Sequence, residues 1–264
     1  MNKEIDKITI FPGTNKFGKK EVFEKIEIKQ GETIAIVGVS GSGKSQLLYD
    51  IEKLAQSDTK SRRKVLVNNK VPHKDFRFDP SKKLIASLSQ SMNFLTDLSV
   101  EDFLKLHIQA RGKKESTTLV DRVISEANEI TGEPILPQTN LLNLSGGQTR
   151  ALMVSDIANI SASPIILIDE IENAGIRKEK ALEILIKEGK IVLIVTHDPI
   201  LALSASKRLI IQEGGIVKIL ETTKKEKEIA HYLDCIENSN LKIREKIRSG
   251  LHVEYVRLNC REVE

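Results

Sequence analysis

The order of apolar and polar positions predicts a chain that begins as β-structure, turns helical in its middle and then alternates between the two. Lys7 to Phe11 reads as a strand closed by Pro12-Gly13. Val22 to Lys29 sets apolar Val22, Ile26 and Ile28 against charged Glu21, Lys25 and Glu27, the pattern of a half-exposed antiparallel strand. Thr33 to Val37 is an apolar, β-branched run suited to a buried strand, and Gln46 to Ile51 has helical spacing. Val65 to Val67 and Leu84 to Leu88 are further strands, separated by the polar, irregular stretch 70–83. From about Asn93 the period becomes helical: Val100, Phe103, Leu104, Leu106 and His107 form one stripe, and Leu119, Val123, Ile124 and Ala127 another. Pro134 and Pro137 end that region before Leu141. A helix over Thr149 to Asn159, an apolar strand over Ile165 to Glu170 that ends in two carboxylates, a helix over Ala181 to Lys187 and a buried strand over Ile191 to Val195 follow. Strands alternating with helices imply a parallel sheet with ligands at the carboxyl ends of its strands.

Beyond residue 220 the apolar positions Ile229, Tyr232, Leu233, Ile236, Ile243 and Ile247 describe an amphipathic helix or helix pair, and His252 to Leu258 alternates like a short closing strand. The reading is therefore an α/β domain over 1–220, a helical subdomain inserted at about 91–143, and a C-terminal helical extension over 221–264. A length of 264 residues suits one mononucleotide-binding domain with an insert. The net charge of +4 is spread along the chain, and the absence of tryptophan argues against a base-stacking surface, so no nucleic-acid partner is expected. The densest basic cluster, Lys60 to Lys64, reads as a solvated loop. Cys235 and Cys260 are far apart and lack metal-ligand spacing, which points to a reducing compartment. With no signal-peptide pattern and no apolar run long enough to cross a bilayer, the expected location is cytoplasmic, either free or peripheral on the inner face of the cell membrane through a partner.

The chemistry concentrates in Gly38-Val39-Ser40-Gly41-Ser42-Gly43-Lys44-Ser45, with Gln46 opening the next helix. This is G-x-x-x-x-G-K-[ST] in the strand–loop–helix context that it requires. Glycines let the backbone wrap a polyphosphate so that successive N–H groups converge on its oxygens, and the helix adds its positive end. Lys44 is placed to reach the β- and γ-phosphates and Ser45 to offer its hydroxyl to magnesium.

Gln90, then Leu144-Ser145-Gly146-Gly147-Gln148, then Asp169-Glu170 and His197 follow in that order. The set resembles the nucleotide-binding domain of the ATP-binding cassette superfamily over roughly residues 5 to 215, LSGGQ being that family's signature. The resemblance implies a phosphate-loop fold with a RecA-like, mainly parallel sheet, an antiparallel β edge and a helical insert. It implies ATP and Mg2+ as ligands, with Ser45, Gln90 and Asp169 around the metal. Glu170 would be the catalytic glutamate, Gln90 would touch the attacking water and His197 would be the switch histidine on the γ-phosphate. Ser145, Gly146, Gly147 and Gln148 would close on the nucleotide of a partner chain in a head-to-tail dimer. Phe17 is the candidate for stacking on adenine, with Phe11 as the fallback.

The chain departs from the family after Glu170. Ile171 to Arg177 stands where the family has proline and then Ser-Ala-Leu-Asp, and Ile176 takes the place of the interface aspartate. In a homodimer Ile176 is then expected to pack against its symmetry mate, with Glu172 or Asn173 supplying a polar link; a heterodimer with another cassette subunit is the other arrangement. Arg150 is displaced and Asp156 falls where a basic residue is common. The expected function is the ATPase subunit of a transporter driving a separate membrane-spanning subunit. The alternative is a soluble cassette ATPase that remodels a protein, metalloenzyme or nucleic-acid complex.

Overall fold

The computed structural model describes residues 5–78, 82–89, 92–113, 116–131, 133–169 and 176–253. β1 (Lys7–Phe11) pairs antiparallel with β2 (Ile26–Lys29), setting Ile8 opposite Ile28 and Ile10 opposite Ile26. The chain then runs through β3 (Thr33–Val37) and α1 (Lys44–Glu52) before β4 (Lys64–Val67) adds to the other edge of β1. Among the described residues this makes a three-stranded sheet, β2-β1-β4.

β3 belongs to a second sheet, completed by β5 (Ile85–Ser89), β6 (Ile165–Asp169), β7 (Ile191–Val195), β8 (Lys207–Gln212) and β9 (Gly215–Glu221) in the order β5-β6-β7-β3-β8-β9. The first five are parallel and β9 returns antiparallel. Both faces are covered, which is why these strands read as continuous apolar runs. Ile166, Ile168, Val192 and Ile194 face the helical side, whereas Ile165, Leu167, Ile191 and Leu193 join the core beneath the antiparallel sheet and α1.

The helices are α2 (Lys74–Phe78), α3 (Val100–Ala110), α4 (Thr117–Ile130), α5 (Gly146–Asn159), α6 (Lys178–Lys187), α7 (Pro199–Ser204) and α8 (Lys224–Arg248). α3 buries Val100, Leu104 and Ile108, and α4 buries Val120, Val123, Ile124, Ala127 and Ile130, so the two stripes largely hold. Leu106, expected in the first stripe, is exposed. α4 lies on α5 and α6, and α8 packs along α7.

Several expectations change. The second strand begins only at Ile26; Val22 is 98% exposed and Glu21 is buried, the reverse of the predicted alternation. Glu21 turns inward because Arg63 and the backbone N–H groups of Gly13 and Ile216 all donate to it. The cluster 60–64 is accordingly not a solvated loop: Arg63 is fully buried and Lys64 opens β4. The stretch 70–83 contains the short helix α2. Of the two arrangements expected for the tail, it forms the single helix, 25 residues long. It starts with a reciprocal cap, Thr223 Oγ1 accepting from Glu226 N and Glu226 Oε2 from Thr223 N. His252 and Val253 belong to no strand, and the rest of the expected closing strand, with Cys260, lies outside the described residues. Among those residues no helix is long and apolar enough to cross a membrane.

Candidate functional site

Residues 38–45 leave β3 and wrap the start of α1. Gly43 holds φ at +105°, and a Cβ there would lie 2.6 Å from Gly214 Cα, so only glycine lets the β8–β9 turn close against the loop. Gly38 is equally confined, its would-be Cβ meeting the Ile211 carbonyl oxygen at 2.5 Å. Inside the loop, Ser42 Oγ is buried without a hydrogen-bond partner among the described residues. An orphaned hydroxyl of this kind asks for a polar ligand.

Lys44 is nearly buried and turns back over its own loop. Its Nζ donates to the carbonyl oxygens of Gly38 at 2.7 Å and Val39 at 3.2 Å and lies 3.2 Å from His197 Nε2. An entering polyphosphate offers the ammonium stronger, charged acceptors than these carbonyls.

The sheet brings the other candidates to the same edge. Ile36 pairs with Val195, Val195 with Asp169 and Asp169 with Ser89, one row across four parallel strands. Asp169 therefore ends β6 level with the point where β3 enters the phosphate loop. Ser45 is exposed at the start of α1, and Gln46 donates through Nε2 to Asp50 Oδ1 at 2.8 Å. Gln90 and Glu170, each one residue beyond the Ser89–Asp169 pair, lie outside the described residues, as do Ile171 to Gly175.

His197 is exposed between two anchored neighbours. Thr196 is fully buried and accepts at Oγ1 from Asp198 N at 2.9 Å. Asp198 caps α7 by accepting from Ile200 N and Leu201 N, and its second oxygen receives Lys178 Nζ at 2.6 Å. Lys178 also donates to Glu237 of α8 at 2.8 Å. Burial works against its charge, but the hydrogen bonds to Asp198 and Glu237 outweigh that and raise its pKa. Sequence reading did not single out Lys178 or Glu237. Asp198-Pro199 carried a visible signal, since a capping aspartate before a first-turn proline is a helix start.

The signature residues open α5. Ser145 Oγ accepts from Gln148 N at 3.2 Å while Gln148 Oε1 accepts from Ser145 N at 2.9 Å, a capping box worth about 1 kcal/mol. Gln148 Nε2 also donates to the Pro134 carbonyl, so both ends of this amide are engaged within its own chain. Ser145 donates its hydroxyl proton to Glu133 Oε2 at 3.0 Å. Gly146 and Gly147 expose the N-terminal turn, with open space around Gly146. Asp156, the expected anomaly of this helix, lies 2.7 Å from His107 Nδ1 and ties α5 to α3.

Phe17 is 63% exposed in the loop between Thr14 and Lys20, with Lys16 Nζ 5.0 Å from its ring centroid. Lys16 N donates to Glu213 O, which places that loop beside the turn that covers Gly43. Phe11 ends β1, paired with Lys64. Ile176 requires a correction. It is 2% exposed and bridges to Thr131, while Arg177 N donates to the Ile130 carbonyl at 2.8 Å. These contacts stitch the segment to the end of α4, so Ile176 fills its own chain's core instead of facing a symmetry mate.

A glycine loop between a parallel strand and a helix, a lysine on that loop and an aspartate closing another parallel strand of the same sheet define a phosphate-loop nucleoside triphosphatase. The ABC transporter family profile matches residues 24–173, and the chain belongs to that family. It is 53% identical over 247 residues, 94% of each chain, to an uncharacterised ABC transporter ATP-binding protein of Methanocaldococcus jannaschii. It is 30% identical over 215 residues, 76% of this chain but 31% of the longer relative, to the macrolide export ATP-binding/permease protein MacB of Campylobacter jejuni. Among solved structures, cbiO1 of Clostridium perfringens, part of the ABC transporter complex cbiONQ, superposes with a TM-score of 0.58 at 20% identity over 94% of this chain and 99% of that one. The chain is an ATP-binding, ATP-hydrolysing subunit of the transporter class. These relatives give the soluble remodelling alternative no support.

Proposed function

We propose that two copies of this chain close head to tail around two ATP molecules and drive a separate membrane-spanning subunit. The observation that carries the reading is the meeting of Lys44 and His197 over the phosphate loop, at the sheet edge where Asp169 ends β6. Residues 1–220 act as the ATPase domain, with 91–143 as its helical subdomain and 221–264 as an extension.

The N–H groups of 41–46 and Lys44 bind and orient the polyphosphate. Magnesium would be held by Ser45, Asp169 and Gln90, and it supplies charge neutralisation on the phosphate oxygens. Among the described residues no cluster of three His, Cys, Asp or Glu side chains could hold a metal. Glu170 takes a proton from water as its oxygen bonds to the γ-phosphorus, and the bond to the ADP oxygen breaks. His197 donates a hydrogen bond to the γ-phosphoryl oxygens, where charge develops. Ser145, Gly146 and Gly147 of one chain meet the γ-phosphate held by the other, while Gln148 shapes the turn that presents them. Phe17 stacks on adenine from its exposed loop.

The test compares Lys44→Ala with Glu170→Gln. The first loses nucleotide binding; the second binds ATP, hydrolyses it at least about 10²-fold more slowly and accumulates as a dimer in light scattering with ATP but not with ADP. Equal loss of binding in both, or a monomer under both conditions, sinks the reading.

A further inference from the structure

The phosphate loop rests against the β8–β9 turn, and that turn is held from beneath by a buried ionic cluster that the catalytic reading does not use. Arg63 is fully buried, as are Glu21 and Asp50, the two carboxylates that it bridges. Its Nε and Nη2 form a fork on Glu21 at 3.0 and 2.6 Å, and Nη1 reaches Asp50 at 2.8 Å. A fourth bond runs from Nη2 to the Gly214 carbonyl at 2.8 Å. One cation between two anions in a dry interior is costly to assemble and is weak evidence for stability alone. What it does here is aim a peptide.

Gly214, whose carbonyl Arg63 holds, donates its own N–H to the Ser42 carbonyl at 2.7 Å. Across a planar trans peptide the carbonyl and the next N–H point in opposite directions. With the Ser42 carbonyl drawn outward to Gly214, the Gly43 N–H is turned inward, toward the hollow of the loop. Asp50 steadies the same unit from the helix side, because it accepts from Gln46 Nε2. Glu21 extends the clamp to β9 by accepting from Ile216 N at 2.6 Å.

We propose that Arg63 is a positioning residue for polyphosphate binding: through Gly214 it fixes the Ser42–Gly43 peptide so that the Gly43 N–H meets the phosphate oxygens. The inference rests on residues 38–45 being the nucleotide site, and wild-type binding of ADP is the control for that reading. Arg63→Lys keeps the charge but cannot span both carboxylates and the Gly214 carbonyl. Gly214→Ala leaves the ionic cluster intact and displaces the turn, since its Cβ would lie 3.0 Å from Lys16 N at a φ of +82°.

ADP affinity is measured by calorimetry well below each variant's melting temperature, alongside the melting temperature without nucleotide. Both variants are expected to bind ADP about tenfold more weakly, the loss of one charge-assisted or well-aimed hydrogen bond. Lowered melting temperatures with ADP affinity unchanged in both variants would show Arg63 to be structural only and would overturn the proposal. Should Arg63→Lys fail to fold, Gly214→Ala decides by the same criterion. A wild-type protein that does not bind ADP refutes the site itself, a different result from unchanged affinity in the variants.

Discussion

Lys44 Nζ lies 3.2 Å from His197 Nε2, although 153 positions separate the two residues in the chain. The two nitrogens are within hydrogen-bond distance, and which role the ring nitrogen takes is set by the imidazole's tautomer. The lysine is meanwhile satisfied by two carbonyls of its own loop. On the proposed reading both side chains turn from this arrangement to a polyphosphate, the lysine in the ground state and the histidine as charge develops.

The first prediction follows from that division. His197→Ala should leave ATP affinity within a few-fold of wild type and lower kcat by about 10²-fold or more. Equilibrium binding and steady-state phosphate release measure the two parts. A His197→Ala protein that fails to bind ATP would place the histidine in ground-state binding.

Ile176→Asp should act on folding rather than on association. The side chain is buried beside Thr131 and Ile130, so a carboxylate there loses water without gaining a donor. A loss of about 3 kcal/mol or more is expected. Thermal melts at several protein concentrations check it, because a folding defect lowers the midpoint equally at each, whereas an interface defect depends on concentration.

Lys178 joins the capping aspartate beside His197 to α8. Lys178→Met should leave Asp198 and Glu237 facing each other without their shared cation, at a loss of about 1–3 kcal/mol, since Glu237 is partly exposed. Hydrogen exchange should speed up in α8 and at the start of α7. Adding Glu237→Gln to the Met variant should recover part of the stability by removing one of the two like charges.

Glu226 sets a dependence on acid. The Thr223 backbone N–H and then Arg208 hold its pKa down, at about 2, against a usual carboxylate value near 4.5. A carboxyl with a lowered folded-state pKa stabilises the fold fully above its unfolded value and loses that contribution as pH falls through the folded one. The difference in melting temperature between wild type and Glu226→Gln should therefore be constant above about pH 5 and shrink between about pH 4 and 2. A difference that does not change with pH would mean that the charge contributes nothing at the start of α8.

What the sequence determined by itself is whatever depends on neighbours in the chain. The phosphate loop was legible because its chemistry is made by eight consecutive residues, and glycine, lysine and serine have local reasons to be there. β6 and β7 were legible as apolar runs because a parallel sheet covered on both faces has no polar positions. Ser145 and Gln148 were legible as a helix start because a capping box spans three residues. Tertiary structure decided the rest. Glu21 and Arg63 meet across 42 positions, and their mutual charge reverses the alternation that would put Val22 inside. Ile176 looked like a surface residue of a dimer until the end of α4 supplied it with a backbone partner. The position of Gly214 under the loop, and the aim that Arg63 gives it, belong to no local pattern. They arise because a buried guanidinium must find acceptors wherever the fold places them, and here one of those acceptors is the carbonyl that leads to the phosphate loop.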